Sequence, residues 1–196
     1  QANPNQLRKL INLTKPLEIN IHAWVWTLNR PNDKEAMKNK DWYSVNKLGQ
    51  NSYDFRPYVD YYQWLSPFSE GARNHIKKLI DELSKIENLA SVHLDYVRYS
   101  DIFLPIKLQP KYGLDQSYEM PEYDFGYHPI AREMFKKQYG LDPKEIKNDD
   151  LKDEWLKFRL DAVTNLVNEL TKISHTNGTK ISAAVACCKK IFQTPK

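Results

Sequence analysis

Hydrophobic and polar positions change period several times along this chain, and each change marks an element. Leu7, Leu10, Ile11 and Leu13 recur at helical spacing within Gln6 to Lys15, and Pro16 stops the run. Ile19 to Trp26 reads INIHAWVW and alternates, so a strand there puts Ile19, Ile21, Ala23 and Val25 on one face and Asn20, His22, Trp24 and Trp26 on the other. Thr27 to Leu65 keeps no period and is punctuated by Pro31, Asn32, Gly49 and Pro57. A loop of that length inside a compact domain usually serves function, a solvated linker being the alternative. Ser66 followed by Pro67 reads as an N-cap with proline at the first helical position, and Ile76, Leu79, Ile80, Leu83 and Ile86 predict a helix over Pro67 to Ile86. Ala90 to Tyr99, ASVHLDYVRY, predicts a second strand reached by a right-handed crossover. Asp101 to Tyr127 is a second long loop with Pro105, Pro110, Gly113, Pro121 and Gly126. Pro129 to Tyr139 then reads as a short helix closed by Gly140. A long helix follows over Leu151 to Ser174, striped by Trp155, Phe158, Ala162, Val163, Leu166, Val167, Leu170 and Ile173 and stopped by Gly178. Lys180 to Val185 is the third strand.

This order specifies a parallel sheet covered by helices. An open doubly wound sheet normally carries a glycine-rich phosphate turn after its first strand, and none of the six glycines sits there. A barrel is therefore favoured, although a complete one takes about 250 residues. The expected fold is α/β, a partial TIM-like (β/α) barrel with parallel strands and long βα loops, filling residues 1–196 as a single domain that stops before the later strands. A partial barrel leaves two sheet edges and its inner wall uncovered, which favours homo-oligomers.

Composition narrows the partners. With 196 residues and 41% hydrophobic, the chain can bury one sizeable core. Its net charge of +4, 29 basic against 25 acidic residues, is spread without a polybasic block, giving no support to nucleic-acid or membrane-surface binding. No window approaches the roughly 18 to 20 apolar residues of a membrane span. The only cysteines, Cys187 and Cys188, are adjacent and make no disulfide framework. Aromatic content is the unusual quantity: five Trp, twelve Tyr and seven Phe, many in polar stretches, suggest a surface on which rings stack, such as a carbohydrate site.

Asp95 is the leading chemical candidate because it falls near the C-terminal end of a predicted central strand, where barrel enzymes place reacting groups. His93 shares its face, and Tyr96, Arg98, Tyr99 and Asp101 surround the strand exit. Arg98 is the expected neighbour that keeps Asp95 ionised as a nucleophile or charge stabiliser; the alternative is a structural ion pair between the two. His22, Trp24 and Trp26 share the inner face of the first strand, with Asn29 and Arg30 beyond it, a mixture suited to sugar rings and hydroxyls. Either histidine could equally be a hydrogen-bonded structural residue. In the first loop Trp42, Tyr43, Tyr53, Tyr58, Tyr61, Tyr62 and Trp64 accompany Arg56 and Asp60, some packing the loop and some lining a cleft. In the second, Glu119, Glu122 and Asp124 fall among Tyr118, Tyr123 and Tyr127. Glycoside hydrolysis needs two carboxyl groups, about 5–5.5 Å apart for retention or roughly 6.5–9.5 Å for inversion, and Glu122 is the candidate partner of Asp95. Solvated loop acids are the plain alternative. No HExxH, zinc spacing, EF-hand loop or GxSxG elbow occurs, so neither metal nor cofactor is expected.

Three segments carry a resemblance: INIHAWVWTLNRP at Ile19 to Pro31, WLSPFSEGARNHI and SVHLDYVRYSD within Trp64 to Asp101, and the run ending KISAAV at Val185. In this order they make the chain resemble the bacterial (β/α)8-barrel family of family 10-like glycosylhydrolases. The resemblance implies a secreted, periplasmic or envelope-associated hydrolase of a poly- or oligosaccharide, with Asp95 at the family's aspartate position in the cleft. It also implies further strands after AAV, where this chain reads ACCKKIFQTPK. The partner of Asp95 could then lie on those strands, leaving these residues alone with weak or no activity. A non-catalytic carbohydrate-binding barrel is the alternative reading.

Overall fold

Residues 4–185 are described by the structure, a computed structural model. The described residues form four α-helices and three strands in the order α1 (Pro4–Thr14), β1 (His22–Trp26), α2 (Glu70–Ser84), β2 (Ser91–Asp95), α3 (Pro129–Tyr139), α4 (Asp149–Thr176) and β3 (Lys180–Ala183). The strands form one parallel sheet in the order β1-β2-β3. The architecture is mixed α/β, and among the described residues the sheet is open, with no ring of strands closed. The Cys187–Cys188 pair and the segment after Val185 lie outside the described residues.

Register sorts the sheet into two chemically different faces. His22 pairs with Ser91, Trp24 with His93 and Trp26 with Asp95, while Ser91 pairs with Lys180 and His93 with Ser182. Paired residues point to the same side, so His22, Trp24, Trp26, Ser91, His93, Asp95, Lys180 and Ser182 share one face. The other face presents Ala23, Val25, Val92 and Leu94, all buried, with Ile181 and Ala183 partly so. These join Ala72, Ile76 and Ile80 of α2 and Leu166 and Leu170 of α4 in the main core. Full burial of one such aliphatic side chain stabilises by about 1.5–3 kcal/mol, so this face fixes the register.

Element ends depart from the expectation where local geometry intervenes. β1 begins at His22 rather than Ile19, after Glu18 takes a left-handed φ of 56° behind a 3-10 turn. β2 ends at Asp95 rather than continuing to Tyr99, because Tyr96 has a φ of 50° and breaks the alternation. The cap of α2 is Ser69, whose Oγ accepts from the Ala72 amide at 3.3 Å, not Ser66. Ser66 instead closes the turn before it, its carbonyl accepting from the Ser69 amide at 3.1 Å and its Oγ from the Phe68 amide at 3.2 Å. α3 ends at Gly140 as expected, with a φ of 78° and its amide donating to the Lys136 carbonyl at 2.8 Å.

The first long loop is folded rather than solvated. Isolated antiparallel bridges join Asn29 to Trp64, Tyr43 to Leu65 and Val45 to Asn51, and Tyr43, Trp64 and Leu65 are fully buried. A fourth bridge, Asn46 to Phe125, ties this loop to the second one. Since both loops leave the C-terminal ends of parallel strands, they sit together over that end of the sheet. A satellite core of Tyr127, Ala131, Phe135 and Trp155 packs α3 on α4.

Candidate functional site

Asp95 is the last residue of β2, and each of its carboxylate oxygens has a defined donor. Oδ2 accepts from the indole Nε1 of Trp24 at 3.0 Å, and Oδ1 accepts from the Tyr96 amide at 2.7 Å. Trp24 lies on the same face of β1, one pleat earlier, and its side chain leans along the strand to reach the acid. Trp24 is 66% exposed, so the carboxylate lies beside an aromatic residue open to solvent.

Aromatic rings continue from this point. Trp26 lies 6.3 Å from Trp24, 6.1 Å from Tyr61 and 5.0 Å from Tyr96. Tyr61 meets Tyr62 at 5.2 Å, and Tyr62 meets Trp64 at 5.3 Å. Edge-to-face pairs of this kind contribute about 0.5–1.5 kcal/mol each beyond area burial, which gives the ridge a fixed shape. Trp64 is wholly buried and only supports the ridge, whereas Trp24 and Tyr61 present surface to solvent.

Arg98 is not the partner of Asp95. Its Nη1 and Nη2 donate to Oδ1 and Oδ2 of Asp101 at 3.0 and 3.2 Å, and Nη1 also donates to the Tyr99 carbonyl. The left-handed residue at Tyr96 ends the strand after Asp95, and beyond it Arg98 pairs locally with Asp101 three positions on. The guanidinium instead lies 5.2 Å over the Trp64 ring and 5.8 Å over Tyr96. Burial, together with the Asp101 charge, pushes the Tyr62 phenol up to about 12.

The two histidines of the open face bridge neighbouring strands. His22 Nδ1 shares a hydrogen bond with Ser91 Oγ at 2.7 Å, and His93 Nδ1 with Ser182 Oγ at 2.9 Å. They, Trp24, Trp26, Tyr96 and Asp95 are the expected site residues that the fold brings together. Asn29 and Arg30 are committed to holding the loop. Asn29 is buried and accepts from the Gln63 amide at 2.9 Å. Arg30 donates to the Trp26 carbonyl at 3.0 Å and through Nε and Nη2 to Asp33, which also meets Nε2 of His75 at 2.9 Å. Burial opposes the Asp33 charge, but the bonds from His75 and Arg30, the Arg30 charge and the Ala36 amide hold its carboxyl well below the usual carboxylate range. The sequence offered only the three-residue spacing of Arg30 and Asp33 as a signal for this trio.

Tyr99 turns toward α4 rather than the ridge. Its hydroxyl is buried beside Arg159 and Asp124, and burial raises the phenol far above its ordinary value. Asp124 is a structural acid, accepting from Arg159 Nη1 at 2.6 Å and from the Tyr127 hydroxyl at 3.1 Å. Arg159, a lone charge within the apolar stripe of α4, was the sequence signal for that buried pair. Glu119 lies 3.7 Å from Lys47. Glu122 is anchored through its backbone, whose carbonyl accepts from Asn46 Nδ2 at 2.8 Å. Among the described residues its carboxylate enters no ion pair and has no hydrogen bond to Asp95.

Arg56 donates to the Asp60 carbonyl at 2.8 Å and lines a depression of about 200 Å³ with Tyr58, Val59, Asp60, Tyr112, Leu114 and Tyr123. A larger hollow, about 510 Å³, lies between the start of α2, α3 and α4, lined by Phe68, Met134, Tyr139 and Phe158 among others, and receives no residue of the Asp95 group. Among the described residues no group of three or more His, Cys, Asp or Glu is placed to hold a metal ion, and no helix is long and apolar enough to cross a membrane. No protein-family model matches the chain, and no curated protein matches it.

Proposed function

We propose that this chain forms part of a TIM-like barrel that hydrolyses a poly- or oligosaccharide outside the cytoplasm, with Asp95 as nucleophile or charge stabiliser. The observation that carries this reading is the contact of Asp95 with Trp24 at 3.0 Å, a carboxylate at a strand C-terminus beside an exposed indole and a run of further rings. A sugar laid on Trp24 presents its C–H face to the ring and its anomeric centre to the acid. Trp24 and the Tyr96 amide each hold one carboxylate oxygen, so the group is oriented before substrate arrives. In the retaining course Asp95 bonds to the anomeric carbon as the glycosidic C–O bond breaks. A second carboxylic acid protonates the departing oxygen, and water later displaces the carboxylate with its proton returned to that second group. Glu122 is the candidate for the second group within these residues.

A non-catalytic carbohydrate-binding barrel is the alternative, favoured by one observation: Asp101, the other carboxylate beside Tyr96, is tied to Arg98. Incubating the protein with soluble plant and bacterial polysaccharides while following reducing ends and tryptophan emission separates the readings. Hydrolysis predicts new reducing ends together with an emission change. An emission change without reducing ends supports the binding protein, and neither signal contradicts both.

A further inference from the structure

The depression between the two long loops has features of its own. Tyr58 sits at its floor with a φ of 67°, a left-handed conformation costly for a bulky residue and kept only where the surroundings over-determine it. Here they do. Its ring stacks on Tyr123 at 4.5 Å with planes 9° apart, and Tyr112 meets it edge-on at 6.2 Å. Its hydroxyl donates to the Ile102 carbonyl at 3.0 Å and accepts from Nε2 of Gln116, a buried residue that also donates to that carbonyl and accepts from the Leu104 amide. The floor is therefore rigid.

Around it stand the groups that recognise sugar hydroxyls. Among the described residues the Arg56 guanidinium donates through Nη1 to the Asp60 carbonyl, and its remaining N–H groups have no hydrogen-bond acceptor there. Asp60 is exposed, and its carboxylate enters no ion pair among the described residues. We propose that this depression is a second sugar-binding subsite, taking one neutral pyranose ring of a longer glycan by stacking on Tyr112 and Tyr123 and by hydroxyl contacts to Arg56 and Asp60. This rests on the carbohydrate reading above and deepens it. At about 200 Å³ the hollow is below the roughly 300–1,000 Å³ of drug-sized sites, a fit for a single ring. Asp60 is its sole carboxylate, so it binds rather than cleaves.

The depression also connects to Asp95. Asp60 on its rim is followed directly in the chain by Tyr61, whose ring lies 6.1 Å from Trp26, and Trp26 lies 6.3 Å from Trp24, the residue that contacts Asp95. A glycan cleaved at Asp95 can thus lie along the aromatic ridge and end here, so affinity grows with chain length.

Calorimetric titration with cello-, xylo-, manno-, malto- and chito-oligosaccharides of two and six sugars tests this. In one series the wild type is expected to bind the hexamer about tenfold more tightly than the dimer. Tyr112→Ala and Arg56→Gln should each abolish that gain and leave dimer affinity unchanged, while Tyr112→Phe keeps it. Trp24→Ala should weaken both lengths equally. If Tyr112→Ala and Arg56→Gln keep the wild-type ratio while Trp24→Ala weakens binding, the subsite is overturned and the carbohydrate reading stands. If no oligosaccharide binds the wild type, both fall.

Discussion

The indole of Trp24 and the carboxylate of Asp95 are 71 positions apart in sequence and 3.0 Å apart in space. Parallel pairing of β1 with β2 brings them together, and the burial of Ala23, Val25, Val92 and Leu94 beneath α2 and α4 fixes that pairing. A one-residue slip of β1 would turn Trp24 under the helices and Ala23 and Val25 to the open face, parting Trp24 from Asp95. The chemistry of the open face is therefore set by the packing of the other.

Trp24→Phe keeps a stacking ring and removes the N–H that orients Asp95. A hydrogen bond to a charged group contributes about 1.5–3 kcal/mol, less at an exposed site, so turnover should fall by about tenfold. Glycan affinity should stay within about twofold, the remaining ring still carrying the stacking. Steady-state kinetics with separate kcat and KM would check this, and a rise in KM alone would contradict an orienting role.

Asp33 links stability to acid. Its folded pKa is depressed by His75 and Arg30 against the opposing effect of burial, so its contribution is complete above the unfolded value of about 3.9 and is lost as pH falls below that. Asp33→Asn removes the buried carboxylate that Arg30 and His75 meet and should cost about 3–5 kcal/mol at pH 7. In urea titrations at pH 7, 4 and 2.5 the gap between wild type and variant should narrow toward the lowest pH. A gap independent of pH would contradict the assignment.

Arg159 and Asp124, the latter two residues beyond the candidate acid Glu122, predict an effect on stability. Arg159→Leu leaves Asp124 without its cation and should destabilise by about 3–5 kcal/mol in urea unfolding. Gly126 adds a second handle: it has a φ of 131°, and a Cβ there would meet Cδ of Arg159 at 2.6 Å. Gly126→Ala should therefore also destabilise the fold, through backbone strain and displacement of the Arg159 side chain.

The start of α2 is testable by its caps. Ser69→Ala should cost about 1 kcal/mol in thermal or urea unfolding. Ser66→Ala should cost less, because Ser66 caps a single preceding turn.

Much of the frame was legible in the chain. Alternation in IHAWVW and SVHLD separated the aliphatic from the chemical face correctly, because one face of each strand is buried and that burial imposes a period of two. The stripe of α4 and the stops at Gly140 and Gly178 were legible for the same local reasons. What escaped depends on distance or on backbone sign. ASVHLDYVRY alternates through Tyr99, yet Tyr96 turns left-handed and ends the strand, and Arg98 pairs with Asp101. Trp24 reaches Asp95, and His75 reaches Asp33, across 71 and 42 positions, separations that no local pattern encodes. The first loop looked unstructured because its order comes from single bridges and asparagine side chains rather than from a repeated period.

Asp95→Asn tests the central claim most directly. Asparagine preserves the shape beside Trp24 and removes the charge, so hydrolysis of a bound polysaccharide should fall by at least about a thousandfold while its affinity is retained. Turnover equal to wild type in the correctly folded variant would contradict the account.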